Sequence, residues 1–191
     1  MAKINTRDRF LQASGKLFRS QGYEGTGLKQ IVIETGAPWG SLYHFFPEGK
    51  EQLAAETVQQ EGALDEGRLN SAFSRADSPE AVIQLIFKAE MCRLKDSNFA
   101  DGCPVASIAS DVAVKADRVR MACSETFSRW EDAIARGFQN MGIEMADAEI
   151  LASFLLSALE GATLLSRTYR STAPLKNAMI MVAAVARRGV S

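Results

Sequence analysis

Residues Thr26 to Phe46 read TGLKQIVIETGAPWGSLYHFF, and the fold follows from this stretch. Its apolar residues recur at three and four positions, the period of a helix face rather than of a strand. Thr26 is a suitable N-cap for a short helix carrying Leu28, Ile31 and Val32, because a hydroxyl there can accept from a backbone N–H that lacks an intrahelical partner. Gly36 ends that helix, and a second starts around Pro38 and runs through Tyr43 toward Phe46, with Pro47 and Gly49 closing it. Proline is tolerated at a helix start because its missing N–H would be unsatisfied there anyway. Helix, glycine-centred turn and helix within about twenty residues form a scaffold that can carry the second helix into a DNA major groove about 12 Å wide. Leu28, Ile31, Leu42 and Phe46 are expected to pack inward, leaving Pro38, Trp39, Ser41, Tyr43 and His44 for a duplex or for solvent.

Outward from this unit the same period persists. Ile4, Phe10, Leu11, Ala13, Leu17 and Phe18 form the stripe of a preceding helix that stops at Gly22. From Glu51 a helix reaches roughly Phe73, and Ser78-Pro79 is a cap-and-start signal for another that buries Val82, Ile83, Ile86, Phe87 and Met91. After a loop at 97–102, Pro104 restarts a helix through Val105 and Ile108. Val119, Cys123, Phe127, Trp130, Ile134 and Phe138 define an amphipathic helix stopped by Gly142, and two apolar helices follow at about 145–169 and 174–188. No stretch alternates over strand length, and no repeat is present. The expectation is an all-α chain of about nine helices in two parts. Residues 1–50 would be a three-helix DNA-binding domain containing the helix-turn-helix unit 27–46, and 51–191 a ligand-binding and dimerisation domain joined to it by the fourth helix.

Composition agrees with an ordinary globular chain of 191 residues, 47% hydrophobic and 24% charged. Net charge is −1, but the residues before Glu48 hold six basic side chains (Lys3, Arg7, Arg9, Lys16, Arg19, Lys29) against three acidic ones, so a surplus of +3 sits at this end. That asymmetry suits a DNA-contacting module attached to a more acidic sensor. Lys3, Arg7, Asp8 and Arg9 interrupt any signal-type segment, and the apolar run 178–186 falls short of the roughly 20 residues of a bilayer span, so a cytoplasmic location is expected. Cys92, Cys103 and Cys123 show no metal-ligand spacing and read as buried thiols, with neither metal nor cofactor implied.

The unit and its flanks resemble the TetR family of regulators, through Phe18, Gly22-Tyr23, Thr26, Ile31, Gly36, Gly40 to Phe46 and Lys50 to Leu53. An extra residue in Phe46-Pro47-Glu48-Gly49-Lys50, and the segment Gly102-Cys103-Pro104-Val105-Ala106, are similar to the LmrA/YxaF-type branch. The resemblance implies that Thr26 and Gly27 offer N–H groups and a hydroxyl to a phosphate, a use of the positive helix end that its dipole also favours. It implies phosphate contacts at Tyr43, His44 and Lys50, and base-edge contacts at Pro38, Trp39 and Ser41. Lys29 joins the set only by its position in the matched unit. Trp39 departs from the small, polar or basic residue common in the family; an indole can touch a thymine methyl but cannot neutralise a phosphate.

One short helix reads few base pairs, so a dimer spanning half-sites about 34–36 Å apart is expected. Leu151, Phe154, Leu155, Ala158, Leu159, Ala162, Leu165, Met179, Val182, Ala183 and Ala186, on the last two helices, exceed what one small domain buries, and the resemblance implies a four-helix dimer seam there. An intramolecular core is the other reading. Phe87, Met91, Phe127, Trp130 and Phe154, with Cys103 at the mouth, could line a cavity for an apolar or aromatic effector, or could be plain core. Two alternatives remain: redox sensing through Cys103, and an all-helical enzyme or carrier. The latter is opposed by the single histidine, His44, which leaves no Ser-His-Asp or Cys-His arrangement elsewhere.

Overall fold

The computed structural model describes residues 5–112 and 116–188, which form nine helices and no strand. They are α1 (Thr6–Gln21), α2 (Leu28–Thr35), α3 (Trp39–Phe45), α4 (Lys50–Arg75), α5 (Pro79–Asp96), α6 (Pro104–Val112), α7 (Asp117–Asn140), α8 (Met145–Tyr169) and α9 (Ala173–Arg188). The all-α expectation and its count of helices therefore stand among the described residues. Ile4, placed in the first stripe, lies outside them.

Local chemistry explains the helix ends. The Asn5 side chain accepts from the Asp8 N–H at 2.8 Å to start α1, and Ser78 Oγ accepts from the Ala81 N–H at 3.3 Å to start α5, with Pro79 in the first turn. Gly36 takes the left-handed conformation, φ 61°, that closes α2, and there a residue without Cβ escapes the steric cost. Pro38 is the cap of α3 rather than its first residue, so Trp39 opens the helix.

The chain divides into two compact units, each discontinuous in sequence. The first holds residues up to Ala63 together with Cys103–Thr126; the second holds Leu64–Gly102 and Phe127 onward. The expected division at residue 50 separates presumed roles, whereas compactness cuts inside α4 and α7. In the first unit α1 packs against α2, α3 and α6. Phe10, Phe18, Ile31, Leu42, Phe46, Leu53 and Ile108 are fully buried there, with the Phe10 and Phe46 rings edge to face at 6.0 Å. Such a pair adds about 0.5–1.5 kcal/mol to its area burial. Arg19 and Glu61 form a largely buried ion pair, Nη2 to Oε2 2.6 Å, between α1 and α4.

In the second unit α5, α8 and α9 pack together around Ile83, Phe87, Leu94, Leu151, Leu155, Leu175 and Val182. Here the structure corrects the apolar set expected at a dimer seam. Leu151, Leu155, Ala162, Val182 and Ala183 are buried within the single chain, whereas Phe154 and Leu165 are exposed. The helical period had combined two faces of α8. That helix alone among those described is long and apolar enough to cross a membrane, yet its inward side belongs to this core.

Candidate nucleic-acid interface

Leu42 and Phe46 are fully buried and Ile31 lies beside them in the core, while Leu28 is half-buried, so the inward side of the helix-turn-helix is as its spacing requires. Opposite, α3 turns Trp39 and Tyr43 outward, each 46% exposed, with ring centroids 6.3 Å apart. Pro38, Gly40 and His44 are exposed and Ser41 is half-buried. Arg9 donates to the Thr35 carbonyl and lies 3.6 Å from the position a Gly36 side chain would take, bracing the turn between α2 and α3.

Thr26 departs from its expected role. It is fully buried, its hydroxyl donates to the Gly22 carbonyl at 2.8 Å and its N–H to the Tyr23 carbonyl at 3.3 Å. The cap of α2 is Gly27, which supplies no side-chain acceptor. The Leu28 and Lys29 N–H groups that open α2 have no side-chain cap, while the Gln30 N–H donates to the Gly27 carbonyl at 3.1 Å, and Gly27 and Lys29 are both exposed. An uncapped helix start of this kind favours an anion.

Lys50, at the start of α4, is half-buried with its Nζ 4.2 Å above the Tyr23 ring. Burial lowers its ammonium below the ordinary lysine value, opposed by the carboxylates of Glu24 and Asp111. Burial likewise raises the Tyr23 phenol, with Glu51 and Glu24 adding to the rise. The local surplus of base is mostly committed to the fold: Arg7 pairs with Glu56, Lys16 with Glu34, Arg19 with Glu61, and Arg9 with a carbonyl. Lys29 is exposed and, like Arg9, takes part in none of these ion pairs. Sequence reading missed Arg9, Asp111 and Glu61. Only Arg9 is near enough along the chain to have been suspected.

Of the residues expected around an effector, all but Cys103 belong to the second unit. Phe87 and Met91 are in the second unit's core, Trp130 is buried with its ring 5.6 Å from half-buried Phe127, and Phe154 is 43% exposed. Cys103 belongs to the first unit, where its sulfur accepts from the Ala106 N–H at 3.4 Å as the cap of α6. Cys123 is buried, and burial pushes its thiol up to about 12. Cys92, expected to be buried, is exposed.

Residues 10–57 match the family described as bacterial regulatory proteins, tetR family, and 79–180 match the C-terminal domain of LmrA/YxaF-like transcriptional regulators. The chain belongs to the TetR family, in its LmrA/YxaF-like branch. It is similar to the HTH-type transcriptional regulator YxaF of Bacillus subtilis, 37% identical over 90% of this chain and 90% of that protein. It is also similar to the regulator LmrA of the same organism, 33% identical over 92% and 93% of the two chains. A crystal structure of regulatory protein TetR from Rhodobacter sphaeroides shares the fold, with a TM-score of 0.86 at 20% identity over 97% and 99% of the two chains. These relatives are transcriptional regulators and not enzymes, so the enzyme or carrier alternative falls.

Proposed function

We propose that this transcriptional regulator is a cytoplasmic homodimeric repressor that holds operator DNA through α2 and α3 until a small apolar or aromatic effector releases it. The observation that carries the DNA reading is the two-sided α3: Leu42 and adjoining Phe46 seated in the core, with Trp39, Tyr43 and His44 turned outward. A helix anchored from behind meets a groove with little loss of freedom. Trp39, Pro38 and Ser41 would meet base edges, and Tyr43, His44, Lys29 and Lys50 the phosphates. At α2 the phosphate would rest on the uncapped N–H groups beside Gly27, the Thr26 hydroxyl being occupied.

Dimerisation is supported by the outer faces of α8 and α9, where Phe154, Leu164, Leu165, Ile180 and Met181 are exposed. Beside them runs an open groove of about 590 Å³, lined by Ala158, Gly161, Leu165, Tyr169, Pro174 and Ala178 among others. Two copies packed there would bury side chains that a monomer leaves wet. The aromatic pair Phe127 and Trp130 suggests the effector's chemistry. Release by such a ligand needs a coupling of about 1–3 kcal/mol, or roughly 5- to 150-fold in operator affinity.

The test is recovery of genomic fragments by the purified protein at graded salt. Retention should fall steeply with salt and select fragments containing two related half-sites. Retention that is absent or indifferent to salt would refute the proposal.

A further inference from the structure

The carboxylate of Asp111 reaches a segment 87 residues away in sequence, where its Oδ2 accepts from the Glu24 N–H at 3.1 Å. It lies on α6, which packs on α1 in the first unit although its sequence falls within the match to the family's C-terminal domain. The approach is close: a Cβ on Gly22 would stand 2.5 Å from the same oxygen. Gly22 has φ 73° and ψ −178°, a conformation open essentially to glycine alone. The chain is thus shaped at this point to admit the carboxylate.

The turn that Asp111 meets is tightly determined. The Gly22 N–H donates to the Phe18 carbonyl at 2.9 Å, Thr26 ties back to Gly22 and Tyr23, and the next residue is the uncapped start of α2. Tyr23 in the same turn carries the Lys50 ammonium on its ring, and Asp111 and Glu24 both act on that charge. A carboxylate beside a surface that meets a polyanion repels it, so its placement calls for a compensating role.

We propose that Asp111 is a positioning residue for DNA binding: by accepting from the Glu24 N–H its carboxylate holds the turn Gly22–Thr26 where the start of α2 can receive a phosphate. The inference rests on the DNA-binding reading above. Without the carboxylate the turn samples other arrangements, and apparent affinity falls by the fraction that remains competent.

The test compares D111A, D111N and D111E on a fragment recovered by the wild-type protein. Asparagine keeps an acceptor for the Glu24 N–H without the charge; glutamate keeps the charge but is too long for the space at Gly22. D111A and D111E should bind about tenfold more weakly than wild type, and D111N within about threefold of it. Amide exchange at Glu24 should be faster in D111A than in D111N. If D111A and D111N both bind as tightly as wild type or tighter, or D111E matches wild type, Asp111 is only a repelling charge and the proposal is overturned. Should D111A not fold, the contrast between D111E and D111N decides. If wild type recovers no fragment, the DNA-binding reading fails instead, and exchange at Glu24 still tests the contact.

Discussion

Trp39 and Tyr43 stand one turn apart on α3, exposed to the same degree, but their chemistry suits them to different contacts in the proposed DNA binding. An indole can press on a thymine methyl and so discriminate bases, whereas a phenol hydroxyl can reach a phosphate of any sequence. Trp39→Ala should narrow discrimination between operator and mismatched duplexes by about 1 kcal/mol, measured by competition binding. Lys50→Ala should weaken all duplexes alike and reduce the slope of log K against log salt by about 0.9. An equal loss on operator and random DNA for Trp39→Ala would contradict base reading. The three thiols separate as clearly. Cys92 should react with an aromatic disulfide reagent in the native protein, while buried Cys103 and Cys123 should react only after denaturation. Because burial holds the Cys123 proton up to about 12, raising the pH from about 8 to about 10 should leave it unreactive.

Among the helices, α7 tests packing against propensity. Gly137 lies inside it, and alanine there would gain roughly 1 kcal/mol of intrinsic helix preference. A Cβ at this position, however, falls 2.4–2.6 Å from three atoms of the Phe73 ring, which itself packs edge to face on Phe138 at 5.2 Å. The aromatic ring cannot yield without disturbing that pair, so Gly137→Ala should be destabilising by about 1–3 kcal/mol, read from the urea midpoint. At this scale much was legible in advance. The start signal at Ser78-Pro79, the stop at Gly36 and the extent of α8 depend on contacts within a few residues of chain. Thr26 shows the limit: the same hydroxyl that suits an N-cap is drawn back to Gly22, and Gly27 takes the cap.

For the whole molecule, the proposed dimer seam lies on the outer faces of α8 and α9, where apolar side chains are exposed. A Phe154→Glu, Leu165→Glu variant should sediment as a folded monomer and lose operator binding, since neither side chain is in the single-chain core. A dimer that persists would move the seam elsewhere. The sequence by itself determined the class of fold, the positions of the helices and the identity of the outward face of α3, because periodicity, caps and turn residues act over a few positions. It also carried the family. Only the tertiary structure decided that α4 and α7 each run through two compact units, that the basic residues near the N-terminus are mostly paired, and that Leu155 is core while Phe154 is not. It alone brought Asp111 to Glu24 and Glu61 to Arg19. An apolar period marks that a face is covered without naming what covers it, and a charge is assigned its partner only when distant segments meet.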